Sequence, residues 1–171
     1  MGFTIDADQV DKFATYHKEL VEWNSRVNLT RIVDYHEVET KHFLDSLTVA
    51  QVLDVVHQTS FKMLDVGTGA GFPGVPLKIL YPRMELTLLD SVKKKTDFLC
   101  HLIKTLYFER VYLVTQRAES LAHNVNYRES FDRVVARAVA PLSSLLELPL
   151  PFCKVGGRVI CQKTASYEKE R

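Results

Sequence analysis

Lys62-Met-Leu-Asp-Val-Gly-Thr-Gly-Ala-Gly-Phe-Pro-Gly74 is a short apolar stretch that runs directly into a glycine-rich turn. Glycine permits a sharp turn and lets a ligand approach the backbone where a Cβ would block it. Asp65 precedes the first glycine, and its carboxylate repels anions but suits cations. This order favours the sulfonium and ammonium groups of S-adenosylmethionine over a pyrophosphate. The stretch therefore predicts the cofactor loop of a class I methyltransferase, with contacts at Asp65, Gly67, Gly69 and Gly71.

Two alternatives remain open for the same turn. The segment from Gly69 to Gly74 also fits the dinucleotide fingerprint G-x-G-x-x-G, and Asp90 lies at about the expected distance downstream. A glycine turn with a purely structural role is the other alternative. The fingerprint alone is weak, whereas the acid, the alternating glycines and the downstream acid together favour the methyltransferase interpretation.

Composition indicates one domain with a sizeable core. The chain has 171 residues, 46% of them hydrophobic, and a formal net charge of +1. A near-neutral chain exerts no overall electrostatic attraction on nucleic acid, so an RNA contact would need a local basic patch. Its three cysteines lack disulfide or metal spacing, and the first residues lack the pattern of a signal peptide. No apolar run approaches a membrane span. We therefore expect a cytoplasmic protein without membrane association.

Hydrophobic periodicity predicts an α/β architecture. Strands are expected at 62–66, 85–89, 111–115, 132–136 and 157–162, and helices at 74–81, 92–107, 117–123 and 141–152. This alternation is typical of a parallel, Rossmann-like sheet with helices on both faces. Residues before 59 show helical spacing at 7–24, about 34–41 and about 44–57, the second opened by a capping box from Asp34 to Glu37. We therefore expect a single domain with a helical cap at 1–58 and a cofactor-binding core at 59–171.

Polar groups follow several of these strands. Ligands of parallel sheets bind beyond the carboxyl ends of the strands, which places the glycine loop, Asp90, residues 116–119 and Arg137 on one rim. The carboxylate of Asp90 can accept hydrogen bonds from both ribose hydroxyls, although it could also cap the next helix. Ala118 and Glu119 could read an adenine edge, or could simply start a helix.

Arg137 and Lys163 follow the fourth and fifth predicted strands, where an acceptor would meet the transferred methyl group. Arginine suits phosphate or planar carbonyl recognition, but it could also pair with a cofactor carboxylate or form a structural ion pair. His42 lies in the predicted cap, where a lone histidine is more often structural than catalytic. No set of residues has metal-ligand spacing, so no metal is expected.

Several segments together resemble one family, RsmG (also called GidB), whose members methylate N7 of a guanine in 16S ribosomal RNA. The matching segments cover about residues 16–163: Trp23-Asn24, Asn28-Leu29-Thr30, His42-Phe43-Leu44-Asp45-Ser46-Leu47, Leu64 to Leu77, Leu88-Leu-Asp-Ser91, Lys94-Lys95, Arg117-Ala118-Glu119, Val135-Ala-Arg137-Ala138, Gly156-Gly157 and Lys163. The loop Gly71-Phe-Pro-Gly-Val-Pro76 is more specific than a generic methyltransferase loop.

The resemblance implies S-adenosylmethionine as cofactor and 16S ribosomal RNA or the small ribosomal subunit as partner. It implies cofactor contacts at Gly67, Phe72, Ala118, Glu119 and Arg137. Similar proteins also add two strands beyond the one that ends near Lys163, so C-terminal strands are expected to be missing here. Thr164 stands where the family usually has glycine.

Guanine N7 carries a lone pair and no proton in the neutral base, so its methylation needs orientation rather than a general base. The lack of a recognisable catalytic dyad is consistent with that chemistry. The alternatives are a methyltransferase of small metabolites, a nicotinamide oxidoreductase and a noncatalytic RNA-binding domain. The candidate RNA contacts are Arg26, Arg31, Lys93, Lys94, Lys95, Arg137 and Lys163.

Overall fold

A computed structural model of the chain describes residues 4–32, 34–55, 60–137 and 147–162. Its centre is a parallel sheet of five described strands in the order β3-β2-β1-β4-β5. The strands are β1 (Lys62–Val66), β2 (Glu85–Asp90), β3 (Val111–Thr115), β4 (Phe131–Arg137) and β5 (Cys153–Gln162). All five predicted strands are confirmed, and β5 begins four residues earlier than the periodicity indicated. The chain moves outward from β1 to β3 and then returns to β4 on the other side of β1.

Helices of the core follow the strands. They are α5 (Gly74–Leu80), α6 (Lys93–Thr105) and α7 (Ala118–Leu121). The helix predicted at 141–152 is wrong over its final part, where residues 147–149 form a turn and Leu150–Phe152 a 3-10 helix. Pro149 and Pro151 lack the N–H groups that an α-helix needs there. Residues 141–146 lie outside the described residues.

The N-terminal helices begin with α1 (Ala7–Val27), where Asp6 and Gln9 form a reciprocal capping box. Then come α2 (Tyr35–Val38), a π-helical segment (Glu39–Leu44), α3 (Asp45–Thr48) and α4 (Ala50–Leu53). Asp34 does cap α2, since its side chain accepts a hydrogen bond from the Glu37 backbone. The π-helical segment was not predicted.

Packing joins the N-terminal helices to the sheet. Tyr16 and Leu20 of α1 are fully buried in the same hydrophobic cluster as Met63 of β1 and Leu86 of β2. The Gln9 side chain donates a hydrogen bond to the Ile79 carbonyl of α5 at 2.8 Å. The N-terminal helices and the sheet thus share one hydrophobic core. The single-domain organisation stays a prediction, and its expected boundary at residue 58 lies outside the described residues.

Candidate active site

A cleft of about 630 Å³ lies at the carboxyl ends of the strands. It lies at the switch point of the sheet, between the neighbouring strands β1 and β4, where the strand order reverses. Open parallel sheets bind ligands at this position. The N-terminal helices supply a second wall. The lining residues that matter below are Leu29, Thr30, His42, Gly67, Gly69, Phe72, Asp90, Lys95, Arg117, Ala118, Glu119 and Arg137.

The glycine turn forms the floor of the cleft. Gly67 and Gly69 have φ values of +68° and +61°, in the left-handed region that favours glycine. A Cβ built on Gly69 would meet no atom within 4 Å, so the space above this residue is open. The turn therefore offers backbone, rather than side chain, to a ligand in the cleft.

Hydrogen bonds within the protein already engage most of the amide groups of this turn. Gly67 and Thr68 donate to the Leu89 carbonyl, at 2.8 and 3.0 Å. The Gly69 amide donates to Asp90 Oδ2 at 2.9 Å. Gly71 and Phe72 both donate to the Thr68 carbonyl at 2.9 Å. These amides are consequently not free to bind an anion, unlike the loop of a dinucleotide site.

Asp65 lies beneath the turn and is fully buried. Its Oδ2 accepts hydrogen bonds from Thr68 Oγ1 at 2.7 Å and from the Gly74 amide at 2.8 Å. Burial raises the pKa of Asp65 to about 6, while these two hydrogen bonds act in the opposite direction. The structure thus differs from the expected cofactor contact, because this carboxylate holds the turn from below and does not line the cleft.

Gly71 also differs from its expected role. It has a φ of +105°, and a Cβ there would lie 2.7 Å from the Tyr16 hydroxyl and 2.8 Å from a methyl group of Val75. The Tyr16 hydroxyl donates a hydrogen bond to the Ala70 carbonyl at 2.6 Å. A glycine is therefore required at position 71 because α1 approaches the backbone closely there. Gly71 is not among the residues that line the cleft.

Asp90 lies at the end of β2 and lines the cleft, with 6% of its surface exposed. Besides the Gly69 amide on Oδ2, its Oδ1 accepts a hydrogen bond from the Val92 amide at 2.9 Å. Lys95 Nζ is 3.7 Å from Oδ2. A carboxylate has about four lone-pair sites, so two hydrogen bonds leave capacity for ligand hydroxyls. Asp90 thus links the glycine turn to the start of α6 and still presents acceptor groups to the cleft.

Arg117, Ala118 and Glu119 lie between β3 and α7 and line the same cleft. Arg117 is the N-cap residue of α7, with an extended backbone and no side-chain capping bond. The Glu119 side chain is exposed, while Ala118 packs against the second hydrophobic cluster. Both expectations for this segment are compatible, since it starts a helix and also lines the cleft.

Arg137 ends β4, and its side chain is 15% exposed. Its Nη1 lies 3.2 Å from Asp45 Oδ2, and its guanidinium carbon lies 5.0 Å from the centre of the Phe72 ring. Its Nη2 lies 3.4 Å from His42 Nδ1. The guanidinium is therefore fixed by a carboxylate, an aromatic ring and an imidazole, and it lines the cleft.

Sequence reasoning missed several residues that the N-terminal helices bring to this wall. His42 was interpreted as structural, yet it lines the cleft and stacks on Phe72. Leu29 and Thr30 were noted only as part of a motif. The signal that could have found them is the set of polar residues Asn24, Asn28 and Thr30 at and just beyond the end of an amphipathic helix.

The remaining candidates divide into three groups. Lys163 and Thr164 lie outside the described residues. Lys95 lines the cleft, whereas Lys93 pairs with Asp97 on the surface and Lys94 is exposed. Arg26 pairs with Glu22, and Arg31 is exposed; neither lines the cleft.

The described part of the chain contains no cluster of histidine, cysteine, aspartate or glutamate that could hold a metal ion. Among the same residues, no helix combines the length and the apolar character needed to cross a membrane.

Comparison with known proteins identifies the family of this chain. The family model described as GidB, rRNA small subunit methyltransferase G, matches residues 9–171. The chain belongs to this family. A relative from Dehalococcoides mccartyi (strain CBDB1), named ribosomal RNA small subunit methyltransferase G, is 47% identical over 170 residues. The alignment covers 99% of this chain and 71% of the relative. A relative of the same name from Alkaliphilus metalliredigens (strain QYMF) is 48% identical, with 99% of this chain and 70% of the relative covered.

Solved structures show the same fold at low sequence identity. A putative S-adenosyl-L-methionine-dependent methyltransferase from Methanococcus maripaludis has a TM-score of 0.60 and 15% identity. The match covers 95% of this chain and 67% of that chain. A putative caffeoyl-CoA O-methyltransferase from Staphylococcus aureus has a TM-score of 0.58 and 19% identity. The match covers 92% of this chain and 73% of that chain. The family member described here therefore has the class I methyltransferase fold, as the sequence predicted.

Proposed function

We propose that this chain transfers a methyl group from S-adenosylmethionine to N7 of a guanine in 16S ribosomal RNA. The proposed partner is the small ribosomal subunit or its RNA, in the cytoplasm. The observation that carries the proposal is the turn between β1 and α5, most of whose amides are engaged within the protein while Asp90 presents a carboxylate beside it. Such a site suits a cationic nucleoside rather than a phosphate.

The residues of the cleft fit the cofactor. Open space above Gly69 admits a ligand against the backbone, and Asp90 retains lone pairs for ribose hydroxyls. We assign the adenine edge to Ala118 and Glu119, which line the same cleft as the glycine turn. We assign the cofactor carboxylate to Arg137, because a charge-assisted hydrogen bond to guanidinium is about twice as strong as a neutral one. Phe72 contributes an aromatic surface beside it.

Methylation at N7 agrees with the electrostatics of the cleft. When bound, S-adenosylmethionine supplies a methyl group on a positively charged sulfur, which a nitrogen lone pair can accept without losing a proton. His42 is the imidazole in the cleft, and its Nδ1 faces Arg137. Burial and then the Arg137 charge lower the pKa of His42 to about 4. A base of that strength with both nitrogens engaged is poorly suited to deprotonating a hydroxyl, whereas N7 needs no deprotonation.

The chain's own contribution is therefore orientation and exclusion of water. Holding two reactants in line can supply about 7–11 kcal/mol of barrier reduction. Arg137 is suited to this role because Asp45 and Phe72 fix its plane. Lys163 stays a prediction as a second catalytic residue.

A labelled-methyl assay on RNA tests the proposal. Small-subunit RNA is transcribed with guanosine or with 7-deazaguanosine, in which a C–H group replaces N7. We expect transfer of label from S-adenosylmethionine only to the guanosine transcript, and mass spectrometry of the digested RNA should give N7-methylguanosine. Equal labelling of both transcripts would rule out N7 as the acceptor.

A calorimetric titration tests the cofactor separately. We expect S-adenosylhomocysteine to bind the chain and NAD not to bind, because the amides that would hold a pyrophosphate are engaged. Binding of NAD without S-adenosylhomocysteine would support the oxidoreductase alternative. Cofactor binding with methyl transfer only to small metabolites would support the other enzymatic alternative.

A further inference from the structure

Thr30 is held in a fixed place on the cleft wall by the end of α1. Asn28 follows this helix in the left-handed conformation and reverses the chain. The Asn24 side-chain oxygen then accepts hydrogen bonds from the Leu29 amide at 2.6 Å and the Thr30 amide at 2.8 Å. These contacts give Asn24 and Asn28 a structural role. They also fix the position of Thr30, which lines the cleft next to His42.

The tautomer of His42 follows from its partners. Arg137 Nη2 lies 3.4 Å from His42 Nδ1, and a guanidinium can only donate hydrogen bonds. We therefore assign Nδ1 as the acceptor, which places the proton of the neutral ring on Nε2. The Nε2–H then donates to Thr30 Oγ1, which is 3.0 Å away. A protonated ring would place a second donor against Arg137, and the lowered pKa of His42 agrees with the neutral form. A backbone hydrogen bond to Lys41 raises the pKa of His42, but burial and the Arg137 charge outweigh it.

This tautomer determines what the Thr30 hydroxyl can do. A hydroxyl oxygen has two acceptor lone pairs and one donor hydrogen. Thr30 Oγ1 accepts one hydrogen bond from His42 and another from the Ile32 amide at 3.1 Å. Both lone pairs are thus engaged, and the O–H is left as a donor for a group in the cleft.

We infer that Thr30 is a specificity-determining residue whose hydroxyl donates a hydrogen bond to O6 of the guanine that is methylated. The inference rests on the proposed function, because it takes guanine as the substrate. O6 is the acceptor that neighbours N7 on the same edge of the base. A donor on O6 would select guanine over adenine, which carries an amino group at that position.

The substrate fits this donor better than the cofactor does. The anionic group of the cofactor has a charged partner in Arg137, whose hydrogen bonds to carboxylates are stronger than those of a hydroxyl. Leu29 is 8% exposed and adjoins Thr30 on the cleft wall, which places an apolar side chain beside the neutral donor. An apolar side chain next to a hydroxyl donor suits the plane and the carbonyl of a base.

Three variants separate the hydroxyl from the rest of the side chain. Thr30→Val keeps the shape and removes the O–H, Thr30→Ser keeps the O–H, and Thr40→Val is a matched control at an exposed threonine outside the cleft. We expect Thr30→Val to lower kcat/KM for RNA about tenfold or more, Thr30→Ser to recover most of the loss, and Thr40→Val to have no effect. Affinity for S-adenosylhomocysteine should change less than about twofold in all three.

Thr30→Val also frees the His42 and Ile32 donors, so a base analogue isolates the contact to O6. The methylated guanosine is mapped in the product and replaced by 2-aminopurine, which keeps N7 and lacks O6. We expect the parent to lose about tenfold in kcat/KM on this RNA, and Thr30→Val to lose less than about twofold on the same change.

Three results would overturn the inference. They are an unchanged kcat/KM in Thr30→Val, equal losses on 2-aminopurine in the parent and the variant, and a fall in affinity for S-adenosylhomocysteine on removal of the hydroxyl. The last result would place the donor on the cofactor. Failure of the proposed function is distinct, because the parent would then transfer no methyl group to guanosine RNA.

Discussion

The imidazole of His42 stacks on the ring of Phe72, with the ring centres 4.5 Å apart and the planes inclined by 22°. The guanidinium of Arg137 contacts the same phenyl ring, at 5.0 Å from its centre. Phe72 therefore positions both an imidazole from the N-terminal helices and a guanidinium from β4. It lies directly after the glycine turn, so one residue couples the floor of the cleft to both walls.

Phe72→Leu should reduce methyl transfer because it removes the flat surface that orients His42 and Arg137. We expect turnover to fall about tenfold and the free energy of unfolding to fall by roughly 1–2 kcal/mol. Denaturant unfolding and the RNA assay measure the two effects. Phe13→Leu is the control, since Phe13 packs against Phe43 and does not line the cleft. Equal losses of turnover in both variants would assign the effect to stability alone.

Asp90→Asn should weaken cofactor binding. Asparagine offers one acceptor oxygen, so the variant cannot serve the Gly69 amide, the Val92 amide and ribose hydroxyls together. We expect a loss of about 1.5–3 kcal/mol in S-adenosylhomocysteine binding by calorimetry. Asp97→Asn on the outer side of α6 should bind as the parent does. An unchanged affinity in Asp90→Asn would remove Asp90 from the ribose contact.

The sheet and the floor of the cleft could be predicted because both depend on short local patterns in the sequence. Each β-strand is a short apolar run, and Gly67, Gly69 and Asp90 lie where those runs end. A parallel sheet brings such ends to one edge, so sequence position alone locates them. Arg137 was found for the same reason, since it is the last residue of β4.

The cleft wall that the N-terminal helices supply could not be predicted in the same way. Thr30 contacts His42, and His42 contacts Arg137, because α1 packs across the glycine turn. That packing depends on Gly71, which makes room for Tyr16. The buried position of Asp65 beneath the turn could not be predicted for a related reason. A carboxylate beside a glycine turn can face the ligand or hold the turn from beneath, and the sequence spacing is the same for both.

Lys94→Ala tests the RNA surface at the start of α6. Lys94 is exposed, whereas Lys93 pairs with Asp97 and Lys95 approaches Asp90 in the cleft. Loss of one phosphate contact should reduce the slope of log affinity against log salt by about 0.7–0.9. Lys104→Ala, in the last turn of the same helix, should leave the slope unchanged. Identical slopes for the two variants would exclude Lys94 from the RNA contacts.

Asp65→Asn should change how stability depends on pH. Burial raises the pKa of Asp65 from 3.8 to about 6, so between these values the folded protein binds more protons than the unfolded chain. Stability from this group therefore falls as pH rises through that window, by a total on the order of 3 kcal/mol. The difference in the free energy of unfolding between the parent and Asp65→Asn should therefore change by this amount from pH 4 to pH 6.5, whereas Asp11→Asn, at an exposed position, should follow the parent. Parallel curves for the parent and Asp65→Asn would show that this carboxyl does not titrate in the window.

Titration of His42 should make stability rise with pH over nearly the same window, opposite to the effect of Asp65. Burial and the Arg137 charge lower the pKa of His42 from 6.5 to about 4, so between these values the unfolded chain binds more protons than the folded protein. Stability from this group therefore rises with pH, and it offsets the fall from Asp65 in the parent. His42→Gln removes the rise, and we expect its free energy of unfolding to decline with pH more steeply than that of the parent. His36→Gln is the matched control, because the His36 side chain is 87% exposed on α2. A parent-like slope in His42→Gln would contradict the lowered pKa and, with it, the assignment of a neutral ring that accepts from Arg137.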